Sequence, residues 1–496
     1  MKTIRIVLQP LDRVIHVNRG TPFIDILNEV GIEFPCGGRG RCGGCRFRII
    51  RGEVPLSDEH VALLKKFDLA NDWRLACLCR AEHDVVLEIG QWDTLILADN
   101  TPFKHQPKSG FAIAIDLGST TIVAQLMDLT GGKIVDVRRS LNPQSKYGAD
   151  IISRIEFSLK GNGLAVLRDT IREKLGEMVH SLIGDRTLDL NRVVIVGNTV
   201  MHHIFCGLDL ESLSHYPFES VETGLVTLSP SELKWDLKED IAVQFLPTIG
   251  SYVGSDILAG IIAADIHNSE RTIALIDLGT NGEIVLGNHE RILCASTAAG
   301  PAFEGINISR GMTATTGAIS SVSCDSSGFK CHVIGNTRAR GICGSGLIDA
   351  VQSIGEAELM DKRGHLKNDR EKIALVHGIS ITQRDIREFQ LAKGALAAGM
   401  QLLINQLEID RHDIEALYIA GAFGHFIDVG KAIKTGLLEF PAEKIHKLGN
   451  AALIGAKMFL FLDESVLRDI KAITRHVSLE SDLNFQDVFV DKMLFP

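Results

Sequence analysis

The sequence predicts a multidomain protein in which an α+β domain precedes a larger α/β domain that contains an internal duplication. Three observations predict this organisation: a cluster of cysteines near the N-terminus, an irregular stretch near residue 100, and two similar strand–turn–strand segments about 160 residues apart. The length of 496 residues provides enough apolar surface for several separate cores.

Composition and charge exclude several classes of protein. Apolar residues make up 45% of the chain and charged residues 23%, as in ordinary globular proteins. The formal net charge of −10 offers no electrostatic basis for binding nucleic acid or an anionic membrane. The start, MKTIRIVLQP, lacks the pattern of a signal peptide, and no run of about 20 apolar residues predicts a membrane span. We therefore expect a cytoplasmic protein.

Three of the ten cysteines lie on one glycine-rich segment, FPCGGRGRCGGCRFRI. Five residues separate Cys36 from Cys42, two separate Cys42 from Cys45, and five glycines lie between Cys36 and Cys45. Glycines allow a backbone to wrap closely around an inorganic core, and thiolates are good ligands of iron. In a reducing compartment such a cluster predicts a metal site in preference to disulfides.

The sequence leaves two questions open at this cysteine cluster: which metal it binds, and which cysteine is the fourth ligand. Four cysteines also suit tetrahedral zinc, although zinc ribbons use paired short knuckles, whereas here a fourth thiol follows alone about 30 residues later. The fourth ligand is either Cys77 or its near neighbour Cys79.

The segments around the cysteines alternate short strand patterns with short helical patterns. TIRIVLQP and RVIHVNRG predict a hairpin, TPFIDILNEVGI predicts a helix, and CRFRIIRGEV and DVVLEI predict further strands. This order resembles the β-grasp fold of [2Fe–2S] ferredoxins, with a cysteine spacing similar to the adrenodoxin type. The resemblance favours Cys77, which follows the leader RLA, as the fourth ligand. It implies a [2Fe–2S] cluster held in a domain over residues 1–92, with these ligands: Cys36, Cys42, Cys45 and Cys77.

A second domain begins after an irregular segment with two prolines and a glycine, which predicts a linker over residues 93–110. FAIAIDLGSTTIVAQLMDL predicts a strand, a tight turn and a second strand, and RTIALIDLGTNGEIVLG repeats the arrangement. Each turn offers backbone N–H groups and hydroxyls to phosphate oxygens, and the preceding carboxylate can hold Mg²⁺ through water. The two turns thus predict an ATP and Mg²⁺ site at these residues: Asp116, Gly118, Ser119 and Thr120, and Asp277, Gly279, Thr280 and Asn281.

A third element, ALYIAGAFGHFID, places Gly421 and Gly424 after an apolar strand, where backbone can pack against a nucleotide. Together the three elements resemble the acetate and sugar kinase, Hsp70 and actin (ASKHA) superfamily. The resemblance implies two related subdomains over residues 111–496 with ATP in the cleft between them. VVIVGNTVMHHIF agrees with it, and GICGSGLIDA predicts a turn into an inter-domain helix.

Across almost the whole chain the sequence resembles one family, the ferredoxin-plus-ASKHA reductive activators of corrinoid enzymes. The additional motifs that carry this resemblance are IDLGST, VGNTVMHH, IDLGTNGE, STAAGPAFEGINISRGM, GICGSGLID, IAGAFG and VDKMLFP. The resemblance implies ATP-dependent reduction of cob(II)amide to cob(I)amide on a corrinoid protein of a methyltransferase system, with the electron passing from the [2Fe–2S] cluster. It leaves the upstream electron donor open and is compatible with a homodimer.

The sequence also offers candidate roles for several further residues. Ser296 and Thr297 are candidate contacts to a corrinoid, against the alternative that they line the nucleotide cleft or form a turn. Glu283 and Glu304 are candidates for orienting a water molecule for hydrolysis, against the alternative that each is only a strand or turn residue, and no catalytic residue is assigned. His202 and His203 are expected to pack or cap, because adjacent side chains on a helix diverge by about 100°. The cysteines without ligand spacing are expected to be either core or incidental thiols: Cys206, Cys294, Cys324, Cys331 and Cys343.

Other functions use parts of the same pattern. A small-molecule acyl or sugar kinase would share the phosphate loops without needing a ferredoxin domain. An activator of a radical dehydratase would hold a [4Fe–4S] cluster with cysteines of the ATPase domain. An ATP-dependent electron donor for another low-potential metalloenzyme, or a nucleotide-binding redox sensor without turnover, would keep both domains.

Overall fold

The structure is a computed structural model, and a defined part of the chain is described from it. The described residues are 3–9, 13–28, 45–66, 69–89, 103, 105–148, 150–184, 186, 188–216, 218–279, 281–297, 300–315, 317–334, 338–376, 378–421, 424 and 427–496.

The N-terminal part, described over residues 3–89 with gaps, forms a five-stranded sheet with the order β2-β1-β5-β3-β4. We call it the redox module after the cluster that the sequence predicts for it. Strand β1 is antiparallel to β2 and parallel to β5, and β3 is antiparallel to β5 and β4. Alternate residues of β1, Ile4, Ile6 and Leu8, lie in the core because successive side chains of a strand point to opposite faces. Its elements are β1 (Thr3–Gln9), β2 (Arg13–Asn18), α1 (Phe23–Asn28), β3 (Arg46–Arg51), α2 (Asp58–Lys66), β4 (Trp73–Leu75) and β5 (Val85–Ile89).

The first half of the second domain is a six-stranded sheet with the order β10-β11-β9-β6-β7-β8. The central strand β6 is antiparallel to β7 and parallel to β9. Its sequence is continuously apolar up to Asp116 because helices cover both faces of the sheet. Its elements are β6 (Phe111–Leu117), β7 (Thr121–Asp128), β8 (Lys133–Leu141), α3 (Ile151–Ser158), α4 (Gly163–Ile183), β9 (Leu190–Gly197), α5 (Thr199–Cys206), β10 (Val226–Leu228), α6 (Pro230–Leu233) and β11 (Ala242–Phe245).

The second half repeats the same sheet pattern, with the order β21-β20-β12-β13-β14-β22. Strand β12 is antiparallel to β13 and parallel to β20, as β6 is to β7 and β9. The predicted duplication is therefore present at the level of sheet topology. Its strands are β12 (Thr272–Leu278), β13 (Gly282–Gly287), β14 (Ile292–Thr297), β15 (Ala318–Asp325), β16 (Gly328–Val333), β17 (Gly341–Ile342), β18 (Lys372–Val376), β19 (Ile379–Thr382), β20 (Ile414–Ala420), β21 (Ile445–Gly449) and β22 (Thr474–His476).

The helices that follow α6 complete the fold. Two of them, α7 and α11, pack against each other between the two sheets, in a core that includes Ala114 of β6 and Leu275 of β12. They are α7 (Ser255–Ala263), α8 (Gly344–Glu356), α9 (Gln383–Leu407), α10 (Val429–Lys434), α11 (Ala451–Phe459), α12 (Ser465–Ile473) and α13 (Phe485–Met493).

One expectation about these helices is wrong. We expected GICGSGLIDA to lead into a helix between the halves, but α8 packs within the second half against β15, and its apolar residues belong to the core of that half. The helices at the junction are α7 and α11. Among the described helices none has both the length and the apolar character needed to cross a membrane.

Candidate iron–sulfur and nucleotide sites

Two of the four predicted cluster ligands lie side by side. Cys45 immediately precedes β3, and Cys77 lies on the short 3₁₀ helix Ala76–Leu78 that follows β4. The N–H of Ala76 donates to the carbonyl oxygen of Cys45 at 3.0 Å, and the two Sγ atoms are 3.4 Å apart. Two thiols at this separation can share one tetrahedral iron. Cys36 and Cys42 lie outside the described residues.

The competing thiol, Cys79, has a different environment. It is buried in the core of the redox module, with Sγ 3.8 Å from Nδ1 of His60. Burial raises the pKa of Cys79 to about 12, which keeps the thiol protonated. His60 is fixed in turn, because its Nε2 accepts a hydrogen bond from the Leu75 N–H at 2.9 Å. This geometry favours Cys77 over Cys79 as a ligand.

The first predicted phosphate loop is the tight turn between β6 and β7. The Gly118 N–H donates to the carbonyl oxygen of Thr121 at 3.0 Å, and a Cβ at Gly118 would lie 2.6 Å from that oxygen, so the turn excludes larger residues. Asp116 lies near the end of β6, and Ser119 and Thr120 form the tip of the turn.

Side chains from other elements hold the first loop, among them Asn198 and Arg154. Asn198 caps α5 by accepting from the Met201 N–H, and its Nδ2 donates to Ser119 Oγ at 2.8 Å. Arg154 of α3 is fully buried and donates from Nη2 to the Ser119 carbonyl oxygen. Burial lowers the pKa of Arg154 to about 9, so the guanidinium remains charged at neutral pH. A cation therefore lies directly behind the predicted phosphate loop.

The second predicted phosphate loop lies at the equivalent position, between β12 and β13. The Gly279 N–H donates to the carbonyl oxygen of Asn281 at 3.1 Å, while Thr280 lies outside the described residues. The third element meets this loop directly: Gly421 has φ +87°, and a Cβ there would lie 2.7 Å from Asp277 Oδ1. Only glycine combines this conformation with such a close approach. A Cβ at Gly424 would lie 2.6 Å from the Ile419 side chain.

Four carboxyl groups interact where the two halves meet, at the position of the predicted nucleotide cleft, and we call them the cleft carboxylates: Asp116, Asp256, Asp277 and Glu283. Burial raises the pKa of Asp116 to about 6. Burial, reinforced by the charge of Asp116, raises the pKa of Asp277 to about 7. Burial and the charge of Asp277 together raise the pKa of Asp256 to about 7. Burial raises the pKa of Glu283 well above its ordinary value, and the charges of Asp256 and Asp277 add to this.

Asp256 and Asn450 join the site although the sequence reasoning missed both. Ser255, at the start of α7, donates from Oγ to the Gly197 carbonyl oxygen at 3.1 Å, and this contact holds Asp256 beside the end of β9. Asn450 caps α11 and donates from Nδ2 to Asp116 Oδ2 at 2.8 Å. The available signals were an aspartate in the first turn of the apolar helix SDILAGIIA and an asparagine before AALIGA.

Ser296, Thr297 and Glu304, the other residues for which the sequence suggested a role, lie as follows. Thr297 is buried and donates from Oγ1 to the Gly282 carbonyl oxygen at 2.9 Å, while Ser296 on β14 lies opposite Glu283 and donates to its carboxylate. Glu304 ends the 3₁₀ helix Pro301–Glu304. These positions accord with the alternative in which Ser296 and Thr297 line the cleft, and their contact with a corrinoid stays a prediction.

His202 and His203 pack inside the fold as expected, whereas only two of the five cysteines without ligand spacing are buried. His202 and His203 are fully buried in α5, where His203 Nδ1 donates to the Thr199 carbonyl oxygen at 2.9 Å and His202 packs edge-on against Phe245. Cys294 and Cys343 are buried, and the other three are half-buried: Cys206, Cys324 and Cys331.

The described residues fit the groups that the sequence implies. Cys45 and Cys77 provide two adjacent thiols for an iron–sulfur cluster. The cleft carboxylates repel one another, so a cation would stabilise their ionised forms. Within the part of the chain that the structure describes, no three His, Cys, Asp or Glu side chains converge on a direct metal site. Mg²⁺ in proteins usually keeps several of its waters and is bound through one or two carboxylates and substrate phosphates.

Family models cover most of the chain. The model described as the C-terminal domain of RACo, the ASKHA domain, matches residues 271–496, and the RACo middle region matches residues 111–269. A 2Fe-2S iron-sulfur cluster binding domain matches residues 6–82. These matches confirm the predicted fold class of a ferredoxin domain followed by an ASKHA domain. The domain boundaries at residues 92 and 110 stay predictions.

Individual proteins show the same likeness. The chain is 32% identical over 432 residues to the corrinoid activation enzyme RamQ of Eubacterium limosum, covering 80% of this chain and 72% of the relative. It is 27% identical over 405 residues to the "[Co(II) methylated amine-specific corrinoid protein] reductase" of Methanosarcina barkeri, covering 75% and 73% of the two chains. Among solved structures, a reductive activator for a corrinoid, iron-sulfur protein superposes with a TM-score of 0.68 at 25% identity, covering 99% and 98%.

Proposed function

Because the chain belongs to the RACo family of reductive activators of corrinoid proteins, we propose that it restores an oxidised corrinoid protein to its active state. The substrate is the cob(II)amide of a corrinoid protein in a methyltransferase system, and the product is cob(I)amide. The reaction depends on ATP and Mg²⁺. The corrinoid belongs to the partner protein, and this chain supplies the electron and the nucleotide site.

The redox part of the proposal rests on the thiols of Cys45 and Cys77, 3.4 Å apart in a ferredoxin-type domain. They would bind one iron of a [2Fe–2S] cluster. Cys36 and Cys42, which lie outside the described residues, are the predicted ligands of the other iron. When bound, such a cluster would supply the single electron that reduces Co(II) of the partner to Co(I). A separate upstream donor of low potential, which the sequence does not identify, must then supply a new electron to reduce the cluster again.

The ATP part rests on one observation above all: Asp116 and Asp277 occupy equivalent ends of the central strands of two duplicated sheets, and each lies beside a glycine turn. In the proposed site the backbone N–H groups of the two turns contact phosphate oxygens from opposite sides. The buried Arg154 adds positive charge behind the first turn. The cleft carboxylates would orient the hydrated Mg²⁺.

The energetic role of ATP is to favour an unfavourable electron transfer. For a potential gap of about 100 mV, a one-electron step costs about 2.3 kcal/mol. A nucleotide offsets this cost if the conformation it stabilises binds one redox state of the partner about 50-fold better than the other. Coupling is then conformational, and no phosphoryl group is transferred to the corrinoid.

ATP hydrolysis in the presence of a corrinoid protein tests the proposal. We expect hydrolysis by the anaerobically purified chain to rise at least severalfold when a Co(II) corrinoid protein of a methyltransferase system is added, and to stay low with the Co(I) form. Asp277→Asn should abolish the stimulated activity while leaving the visible spectrum of the cluster unchanged. Equal hydrolysis with and without every such partner would contradict the proposal.

A further inference from the structure

The redox module contacts both halves of the nucleotide-binding domain. Helix α1 of the module packs against the 3₁₀ helix Pro143–Lys146 of the first half. At the end of β5, the Glu88 carboxylate forms an ion pair with Arg340 of the second half. Arg340 Nη1 also donates to the Ile89 carbonyl oxygen at 3.4 Å. A single compact module is thus attached to each side of the cleft.

The first contact connects the predicted cluster to the first phosphate loop through a short series of packed elements. Helix α1 packs on the 3₁₀ helix that carries Cys77. On the other side of the contact, Asn142 directly precedes Pro143, and its Nδ2 donates to the Gly118 carbonyl oxygen at 2.9 Å. The Asn142 N–H donates to the carbonyl oxygen of Thr120 at 2.8 Å. A displacement of the phosphate loop therefore acts directly on the surface where the module rests.

The second contact is weak enough to be reversible. The side chains of Arg340 and Glu88 are 27% and 26% exposed, and Glu88 also lies 3.8 Å from Arg48 within its own module. Partly exposed ion pairs contribute little to stability, because water screens their charges and both side chains lose conformational freedom. The backbone of Arg340 is held in place, because its N–H donates to the Gly317 carbonyl oxygen at 2.8 Å and β17 begins at the next residue. The contact can break without disturbing either partner.

We propose that the redox module is a nucleotide-sensitive clamp across the two halves, in which binding of MgATP releases the Glu88–Arg340 contact. Closure of the cleft changes the spacing of the two halves, whereas the spacing between α1 and Glu88 is fixed by the sheet of the module. A rigid body cannot keep both contacts when that spacing changes, so the weaker one is lost. Release then frees the module to approach a partner. This inference rests on the proposed function for the identity of the nucleotide and of the partner.

Chemical labelling of carboxylates tests the clamp without any corrinoid protein. The holoprotein is treated anaerobically with a carbodiimide and glycine ethyl ester, with and without Mg–AMPPNP, and modification of each carboxylate is quantified by mass spectrometry. We expect the nucleotide to increase labelling of Glu88 roughly two- to fivefold, the scale of a partly exposed ion pair. Labelling of Glu82, which pairs with Arg19 inside the module at 2.8 Å, should stay constant.

Variants separate the clamp from a general change in the protein. Arg340→Glu should raise labelling of Glu88 without nucleotide to the level that Mg–AMPPNP produces in the wild type. The matched variant Arg338→Glu changes the same charge on an exposed neighbour and should behave as wild type. We expect Arg340→Glu to lose the compact solution scattering profile of the wild type. The charge-swapped double variant, Glu88→Lys with Arg340→Glu, should restore that profile.

The outcomes distinguish this proposal from the proposed function. Protection of Asp277 by nucleotide with no change at Glu88, or a charge swap that fails to restore compactness, would overturn the clamp alone. Absence of any protection at Asp277 would overturn the ATP site and the clamp together. Failure to reduce a corrinoid protein, with nucleotide-dependent labelling of Glu88 intact, would overturn the proposed function and leave the clamp standing.

Discussion

Asn450 donates a hydrogen bond from Nδ2 to Oδ2 of Asp116 at 2.8 Å, although 334 residues separate them in the chain. Asn450 also accepts from the Leu453 N–H at 2.9 Å and so begins α11, the helix between the two halves. One side chain thus joins a predicted phosphate-loop carboxylate to a helix at the junction of the halves. Burial raises the pKa of Asp116 to about 6, and this hydrogen bond opposes the rise.

Replacement of Asn450 tests that connection. In Asn450→Ala the pKa of Asp116 should rise further, because the donor that stabilises its ionised form is removed. We expect MgATP affinity to fall roughly tenfold near pH 6.5 and less at pH 8.5, where Asp116 is ionised in both proteins. Loss of the helix cap should also cost about 1 kcal/mol of unfolding free energy. Calorimetric titrations across this pH range measure the effect, and a pH-independent loss would exclude the role of Asp116.

The cleft carboxylates should make the nucleotide-free protein less stable as pH rises. The folded-state pKa of Asp277, about 7, lies above its unfolded value of about 3.9, so the folded state binds more protons between these values. Stability therefore falls as pH rises from about 4 to about 7. Asp277→Asn should raise the unfolding free energy by about 1 to 2 kcal/mol at pH 8, after allowance for solvent in the cleft. The gain should shrink at pH 5.

The exposed Asp240 supplies a control for that experiment. Asp240→Asn should leave thermal unfolding unchanged at both pH values. Excess MgATP should stabilise the wild type but not Asp277→Asn, since a ligand stabilises only the state that it binds. A variant that is less stable than wild type at pH 8 in the absence of nucleotide would contradict the described electrostatics.

The two neighbouring thiols should behave differently on removal. Cys77→Ala should abolish the visible absorption of a [2Fe–2S] cluster and lower the iron content. Cys79→Ala should keep both, at a stability cost of about 1 kcal/mol for the lost apolar contact. Iron analysis and spectra of anaerobically purified variants decide the matter, and retention of the cluster in Cys77→Ala but not in Cys79→Ala would reverse the assignment.

Arg154 should contribute to nucleotide affinity from behind the first loop. Arg154→Met removes its charge and its donors to the carbonyl oxygens of Ser119 and Gly148. We expect MgATP affinity to fall about 10- to 100-fold, equivalent to about 1.4 to 2.8 kcal/mol. Arg154→Lys, which keeps the charge, should recover part of the loss. Unchanged affinity in a folded Arg154→Met protein would show that this cation acts only in folding.

Local patterns made part of this site predictable from the sequence. Asp116 and Asp277 each follow a run of apolar strand residues and precede a glycine turn, and the repetition of that pattern carried the ATP prediction. The same reasoning missed Asp256, Asn450 and Arg154, because each reaches the site through the packing of a distant helix. The spacing of residues along the sequence does not indicate how the two sheets and their helices pack against each other.

The wrong prediction for helix α8 has the same physical cause as these missed residues. The segment GICGSGLIDA correctly predicts a glycine turn and an apolar helix, and α8 begins at Gly344 as that pattern suggests. An apolar face, however, does not specify which of two similar sheets it covers. In this chain α8 completes the core of the second half, and α7 and α11 fill the junction.

The most direct test of the central claim follows the cobalt of a partner. The reduced, cluster-loaded protein is mixed anaerobically with a Co(II) corrinoid protein of a methyltransferase system, and EPR and visible spectra are recorded with and without MgATP. We expect the Co(II) EPR signal to disappear and Co(I) absorbance to grow only with MgATP, and neither change with Cys77→Ala or Asp277→Asn. Reduction of Co(II) at the same rate and to the same extent without nucleotide, or no reduction with it, would contradict the account.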